Sequence, residues 1–240
     1  IAICLLEDQN VLKDLAIHDP DLKIRKIITV NLEDKMTLEH LAKNDANEEV
    51  KKLANTKLEN QNVFKDLGKN NSDLETKKIV IKKIVISNIT DQEVLKLFAN
   101  HDLEPEIREH ATGQITNQDI LKDLAEYGNH WKVREIAANK IKDESKLNHL
   151  AKNAKDPQIR RISITRITDQ NTLRDIAESD KDILIRDLAK NKITDQNILK
   201  EWSESPENEY IRRMAVEKIT DQSMLENIAK YSLYPEISVM

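Results

Sequence analysis

The chain has 240 residues, of which 34 % are charged with both signs interspersed, and its formal net charge is −5. This balance disfavours a polyanion-binding protein, and no apolar run approaches the roughly 20 residues that a membrane span needs. With three glycines and five prolines, the composition is typical of a helical protein with short turns. The single cysteine, Cys4, excludes an intramolecular disulfide and favours a reducing, cytoplasmic location.

The chain consists of a 26-residue unit in tandem, whose clearest copies open with Ile-Thr-Asp-Gln at Ile89, Ile167, Ile193 and Ile219. We number its positions 1 to 26, with Ile193 at position 1. Repeats 1 to 9 span residues 6–31, 32–57, 58–88, 89–114, 115–140, 141–166, 167–192, 193–218 and, incompletely, 219–240. Such self-similarity predicts a single solenoid over residues 1–240, in which each repeat packs on its neighbours.

Both termini fall inside a repeat, because residues 1–5 match the end of a unit and residue 240 precedes the end of another. We therefore expect the sequence to be a segment of a longer array. Uncapped ends of this kind leave end-to-end self-association open.

The residue pattern of each repeat predicts two short helices, which we call A and B. Helix A is predicted to begin at position 3, because Asp and Asn side chains accept bonds from the free amides of a helix start. That position is occupied by Asp8, Asp34, Asn60, Asp91, Asn117, Asp143, Asp169, Asp195 and Asp221. Apolar residues at positions 7, 10 and 11 of helix A, and 19, 22 and 23 of helix B, predict buried stripes. Helices of about ten residues do not hold alone in water, so stacking must stabilise them.

Repeat 3 is five residues longer, because Lys77–Ile81 is followed by an identical Lys82–Ile86. Five extra residues rotate a helix face by about 140°. Helix B of this repeat is therefore predicted to be lengthened, bulged or broken, either as a tolerated duplication or as a notch for a partner.

Helix B begins with Asp-x-x-Ile-Arg in three repeats, and looser copies end in an arginine at the same position. This motif resembles HEAT repeats of the armadillo type, in which an Asp and an Arg form a ladder along the array. The resemblance implies an all-α, right-handed α-α superhelix that serves as a binding scaffold. It also implies a structural ladder of Asp21, Arg25, Arg108, Arg134, Asp156, Arg160, Asp182, Arg186 and Arg212. An anion-binding stripe is the alternative interpretation of these arginines.

The period is shorter than the roughly 40 residues of HEAT repeats. The chain also resembles the leucine-rich repeat variant class, in which short helices of two kinds alternate. By that resemblance helix B would be partly 3₁₀.

Repeats 4 and 5 carry exceptions to the repeat that predict a partner-binding edge. Leu97 stands where most repeats are polar, while His101, Tyr127, His130 and Trp131 gather in the A-to-B turns. Packed helices lie about 8 to 10 Å apart, so these turns are expected to be adjacent. Exposed aromatic residues are typical anchors of protein interfaces. Local packing under the turns and a metal site are the alternatives, although no short His-x-His spacing supports a metal.

No phosphate-binding loop, zinc-protease motif or Cys-x-x-Cys pair occurs, so no catalytic residue, cofactor or metal ligand is assigned. We expect a non-catalytic scaffold that binds another protein. The alternatives are a nucleic-acid-associated HEAT-like protein and the repeat region of a larger enzyme. Against nucleic acid, the basic positions on helix B are interspersed with acidic ones. These basic residues are Lys26, Lys52, Lys78, Arg161 and Arg213.

Overall fold

The structure, a computed structural model, describes residues 6, 8–67, 74–206 and 208–234, with side chains at all of these except 63–67, 74 and 75. Cys4 lies outside the described residues. The described chain forms α-helices and no strand. The helices are α1 (Gln9–His18), α2 (Leu22–Asn31), α3 (Lys35–Asn44), α4 (Glu48–Leu67), α5 (Leu74–Ile86), α6 (Gln92–His101), α7 (Pro105–Gln114), α8 (Gln118–Tyr127), α9 (Trp131–Lys140), α10 (Glu144–Asn153), α11 (Pro157–Arg166), α12 (Gln170–Ser179), α13 (Ile183–Lys192), α14 (Gln196–Ser203), α15 (Glu209–Lys218) and α16 (Gln222–Tyr231).

The helices belong to two compact units, Ile1–Asp143 and Glu144–Met240. Within each unit, helices A and B of a repeat pack on each other, as α8 on α9 and α12 on α13 do. Equivalent helices of adjacent repeats also pack together, as α7 on α9 and α11 on α13 do. The prediction of an all-helical repeat protein is therefore confirmed, whereas a single domain over residues 1–240 stays a prediction. No described helix combines the length and the apolar character that crossing a bilayer requires.

The core of each unit is built from the predicted stripes. In repeat 5, Leu121, Leu124 and Ala125 of helix A are buried, and so are Val133 and Ala137 of helix B. The residue at position 1 also belongs to the core, since Ile115, Ile141, Ile167 and Ile193 are fully buried. Each buried Ile or Leu contributes about 1.5 to 3 kcal/mol, so these stripes are the main stabilising term.

Most A helices begin where the sequence predicts. The position-3 side chain accepts a bond from an amide of the first turn in seven described repeats. These caps are Asp8, Asp34, Asp91, Asn117, Asp169, Asp195 and Asp221. Both kinds of helix are α-helical, so the 3₁₀ alternative for helix B does not apply to the described B helices.

In six repeats the residue at position 4, a glutamine in five of them and Glu144 in the sixth, joins helix A to the next repeat. Gln196 Oε1 accepts the N–H of Thr220 at 2.8 Å and that of Asp221 at 3.3 Å. Gln118 bonds to Lys142 and Asp143 in the same way. The same link to the following repeat is made by Gln9, Gln92, Glu144 and Gln170. These bonds satisfy amides that precede a helix and would otherwise lack a partner.

The lysine at position 26 makes the reverse link, to the preceding repeat. Lys218 Nζ donates to the carbonyl oxygens of Lys190 and Asn191 in repeat 7 at 3.1 and 2.8 Å, and to that of Ile193, the first residue of its own repeat, at 3.0 Å. Lys192 bonds to two carbonyl oxygens of repeat 6 and to Ile167 in the same way, and Lys140 reaches the carbonyl oxygen of Gly113. Each ammonium therefore neutralises the negative C-terminal end of the helix B before it.

Repeat 3 departs from this arrangement. The prediction that its helix A begins at Asn60 is wrong, because α4 continues from repeat 2 into repeat 3 as one helix of 20 residues. Asn60 Nδ2 donates to the carbonyl oxygen of Thr56 at 2.7 Å, inside this helix. Asn117 caps α8, so the residue type alone does not explain the difference. The predicted lengthening of helix B is confirmed, since α5 has 13 residues against 10 in most other helices.

This departure brings repeat 4 into direct contact with repeats 1 and 2. Lys26 of α2 is almost fully buried, with Nζ 2.7 Å from Glu49 Oε2 and 3.4 Å from Asp91 Oδ2. Glu49 Oε1 accepts the N–H of Thr90 at 3.1 Å, the role that a position-4 glutamine has elsewhere. Burial raises the pKa of Glu49, but the bonds from Lys26 and Thr90 outweigh burial and leave the pKa below its usual value. The network is therefore a partly buried, charged link across repeat 3.

The buried side chain of Lys57 is expected to make the stability of the fold depend on pH. Its buried ammonium donates to the carbonyl oxygens of Thr29 and Val30, and burial, with Lys82 nearby, lowers its pKa to about 7. In the unfolded chain a lysine keeps its proton to about pH 10.4, so between these values the unfolded state binds more protons and stability rises with pH. The free energy of unfolding should rise between pH 7 and 9.5, by about 1 kcal/mol per pH unit at the steepest point.

Denaturant titration at several pH values checks this expectation. The Lys57→Met variant should lose the rise, whereas Lys230→Met, at an exposed lysine, should keep it. Equal slopes for wild type and Lys57→Met would contradict the prediction.

Candidate binding edge

The A-to-B turns are closed by the arginine at position 20, which donates from Nη1 to a carbonyl oxygen of its own turn. Arg160 reaches the carbonyl oxygen of Ala154 at 3.0 Å, and Arg186 reaches that of Asp180 at 2.6 Å. The same bond is made by Arg25, Arg108, Arg134 and Arg212. These six arginines therefore hold each turn against the start of helix B.

Arg160 and Arg25 also pair with an aspartate of the next repeat. Arg160 Nε and Nη2 donate to the two carboxylate oxygens of Asp180 at 2.8 and 3.1 Å, and both side chains are at most 6 % exposed. Arg25 makes the same two-point contact with Asp45. In repeat 3, Lys82 takes the place of the arginine, with Nζ 2.6 Å from the buried carboxylate of Asp102. All three acids stand at position 14.

The acids predicted for the ladder have another role. Asp21, Asp156 and Asp182 accept the N–H two residues ahead, at 2.8 to 2.9 Å, and so cap helix B. For Arg25 and Arg160, the acid that pairs with the arginine stands at position 14 of the following repeat and not at position 16 of the arginine's own repeat.

Tyr127 and Trp131 stand exposed at the two ends of the turn of repeat 5. Tyr127 is the last residue of α8 and 62 % exposed, while Trp131 is the first of α9 and 65 % exposed. The Tyr127 hydroxyl donates to Glu126 Oε1 at 2.8 Å, and Lys132 Nζ lies 5.1 Å from the centroid of the Trp131 ring. Neither ring is packed under the turn, contrary to the alternative interpretation from the sequence.

Asn129 connects the turn of repeat 5 to that of repeat 4. Its N–H donates to Asn100 Oδ1 at 3.3 Å, and its Nδ2 donates to the carbonyl oxygen of Asn100 at 3.2 Å. The same Nδ2 lies 3.5 Å from His101 Nδ1. His130 follows Asn129 and precedes α9, which brings the two predicted histidines to adjacent turns. We call the surface of His101, Tyr127, His130 and Trp131 the turn edge.

Leu97 lies on α6, one helical turn before His101, and is half-buried; its part in a binding edge stays a prediction. Leu103 was not predicted for this surface, yet it is 52 % exposed in the turn of repeat 4. It directly follows the turn aspartate Asp102, and no apolar periodicity marks it in the sequence. Leu103 is therefore an exposed aliphatic residue two positions after His101.

Both histidines of the turn edge are held neutral at pH 7. Burial lowers the pKa of His101, with His130 adding to the effect, and burial followed by Arg108 and Arg134 lowers the pKa of His130. The folded state thus disfavours their protonation. Neutral imidazole rings next to Tyr127 and Trp131 add apolar surface to the turn edge.

The described residues contain no cluster of three or more His, Cys, Asp or Glu side chains that could hold a metal ion. Several basic residues of helix B are paired with acids. Lys26 is buried in its charge network, Lys78 lies 3.0 Å from Glu33, and Arg213 lies 2.8 Å from Glu209. These pairs reduce the charge available to a polyanion.

Comparison with protein-family models, with curated proteins and with solved structures finds no match for this chain. The resemblance to HEAT repeats therefore depends on the repeat motif, the helix pairs and the arginine contacts alone.

The Arg160–Asp180 pair predicts a large loss of stability on truncation. The Arg160→Ala variant leaves a buried carboxylate without its cation, which costs about 3 to 5 kcal/mol, or roughly 10 °C in melting temperature. Arg186→Ala is the matched control and should cost about 1 kcal/mol, because among the described residues Arg186 bonds only to the carbonyl oxygen of Asp180. Circular dichroism melts compare the two, and equal shifts would count against a stabilising ladder.

Proposed function

We propose that this chain is a non-enzymatic, HEAT-like scaffold that binds another protein through the turn edge of repeats 4 and 5. The right-handed superhelix, the armadillo-type assignment and the cytoplasmic location stay parts of this proposal. No cofactor enters it. The observation that carries it is the exposure of Tyr127 and Trp131 on a turn that is fixed by several bonds.

Rigidity supports this surface as a binding site. Arg134 closes the turn onto the carbonyl oxygen of Gly128, and Asn129 fastens it to repeat 4. Two large rings on a fixed backbone lose little conformational entropy when a partner covers them. Tyrosine and tryptophan are also the residues that most often dominate interface energies.

The alternative of a nucleic-acid-associated protein is less favoured. Several of the basic residues on the B helices form ion pairs with acids of this chain. The aromatic turn edge is flanked by Glu126 and Glu135 as well as by Lys132. Phosphate binding would need unpaired cations near the rings.

A comparison of variants as bait tests the proposal. The whole chain, its Tyr127→Ala/Trp131→Ala variant and the control Tyr210→Ala, an equally exposed tyrosine at 63 %, are incubated with native lysate and washed at low and high salt. Because both rings are exposed, the free energy of unfolding of the double variant should stay within about 0.5 kcal/mol of the wild-type value. It should nevertheless lose a protein that wild type and Tyr210→Ala retain.

Nuclease treatment separates the two classes of partner. Retention that disappears with nuclease or high salt would replace the scaffold proposal by nucleic-acid binding. A set of bound proteins identical for wild type and the double variant would remove the turn edge as the binding surface.

A further inference from the structure

A second surface lies in the C-terminal unit, where the turns of repeats 6 and 7 border an open groove of about 630 Å³. One wall is the end of α10 with the turn that follows, and the other is α12 with its own turn. The volume is within the range of about 300 to 1,000 Å³ typical of ligand-binding clefts. The groove is distinct from the turn edge, whose residues belong to the other unit.

The acids that line this groove are already paired. Asp180 is held by Arg160, Asp175 Oδ2 lies 2.5 Å from Lys152 Nζ, and Glu178 Oε1 accepts bonds from Arg174 Nε at 3.0 Å and Trp202 Nε1 at 3.2 Å. Two lysines among the lining residues, Lys155 and Lys181, are exposed. Neither side chain has an ion pair or hydrogen bond within the described part of the chain. The rim of the groove therefore carries two ammonium groups that are free to pair with a ligand.

The nearest acids in the sequence, Asp156 and Asp182, form no ion pair with these lysines. Oδ1 of Asp156 accepts the N–H of Gln158 and Oδ1 of Asp182 accepts that of Leu184, both at 2.9 Å, so that each aspartate caps its helix B. The turn of repeat 7 then continues into two exposed aliphatic residues, Ile183 at 59 % and Leu184 at 75 % exposure. Positive charge and apolar surface therefore lie side by side.

The two lysines share position 15 of adjacent repeats, so their spacing is set by helix packing, at about 8 to 10 Å. A polyproline II segment has three residues per turn and a rise of about 3.1 Å per residue. Side chains three residues apart in such a segment lie on one side, about 9 Å from each other. Acidic residues at i and i+3 would match the separation of the lysines.

We propose that this groove binds an extended acidic segment of a partner protein, with carboxylates at i and i+3 on Lys155 and Lys181 and an apolar side chain on Ile183 and Leu184. This inference rests on the proposed role as a protein-binding scaffold but uses a separate surface. The charge complementarity of the rim selects an acidic peptide over a basic or neutral one.

Fluorescence anisotropy with the whole chain tests this inference. The probe is a labelled, proline-rich peptide of about twelve residues, with glutamate at every third position and one leucine, the length giving about 37 Å of extended chain. We expect the Lys155→Glu/Lys181→Glu variant to bind it at least tenfold more weakly than wild type. Lys230→Glu is the matched control, an exposed lysine in the same unit, and should bind it like wild type.

Three further measurements make the result decisive. A glutamine version of the peptide should not bind, and a version with its glutamates adjacent should bind more weakly. Ile183→Ser/Leu184→Ser should weaken binding of the original peptide without altering the circular dichroism spectrum. Absence of binding to wild type, or equal weakening by Lys230→Glu, would overturn the inference.

A single-stranded oligonucleotide of equal charge that competes as well as the peptide would also overturn it, in favour of general polyanion binding. None of these outcomes depends on Tyr127 or Trp131, so failure here is distinguishable from failure of the turn edge.

Discussion

The unpaired backbone groups at helix ends are the constraint on which the structure depends. A helix leaves four amides and four carbonyls without internal partners, which in a helix of ten residues is about two fifths of its polar backbone groups. Side chains from the adjacent repeat supply much of what is missing. Gln196 serves the amides before α16, and Lys218 serves the carbonyls at the end of α13. The packing of apolar stripes and the hydrogen bonds to backbone groups at helix ends therefore both require adjacent repeats to lie at the same distance from each other.

The helices and their core could be predicted because both follow from local chemistry. A cap such as Asp195 and a stripe such as Leu199 and Trp202 act within one helix, where spacing along the chain equals spacing in space. The roles of Gln196 and Lys218 could not be predicted in this way. Their partners lie 24 to 28 residues away, and only the packing of one repeat on another brings them together.

The turn edge was predictable in part, for a similar reason. Aromatic residues make up 3 % of the chain, so Tyr127 and Trp131 stand out as departures from the repeat. Their exposure could not be predicted from the sequence, because residues in turns do not follow the regular spacing that marks buried positions in a helix. The role of Asn129 was also hidden, since an asparagine in a turn is ordinarily a local turn former. Its bonds to Asn100 cross between repeats instead.

The charge network around the buried Lys26 changes how the N-terminal unit can unfold. In a regular array each repeat interacts only with its neighbours, so stability is the sum of single-repeat and nearest-neighbour terms. Lys26, Glu49 and Asp91 couple repeats 1, 2 and 4 directly, which adds a term that skips a repeat. Protection of the backbone amides against hydrogen exchange should then be lost together in α2, the first half of α4, and α6. Elsewhere in the array, neighbouring repeats would open one after another.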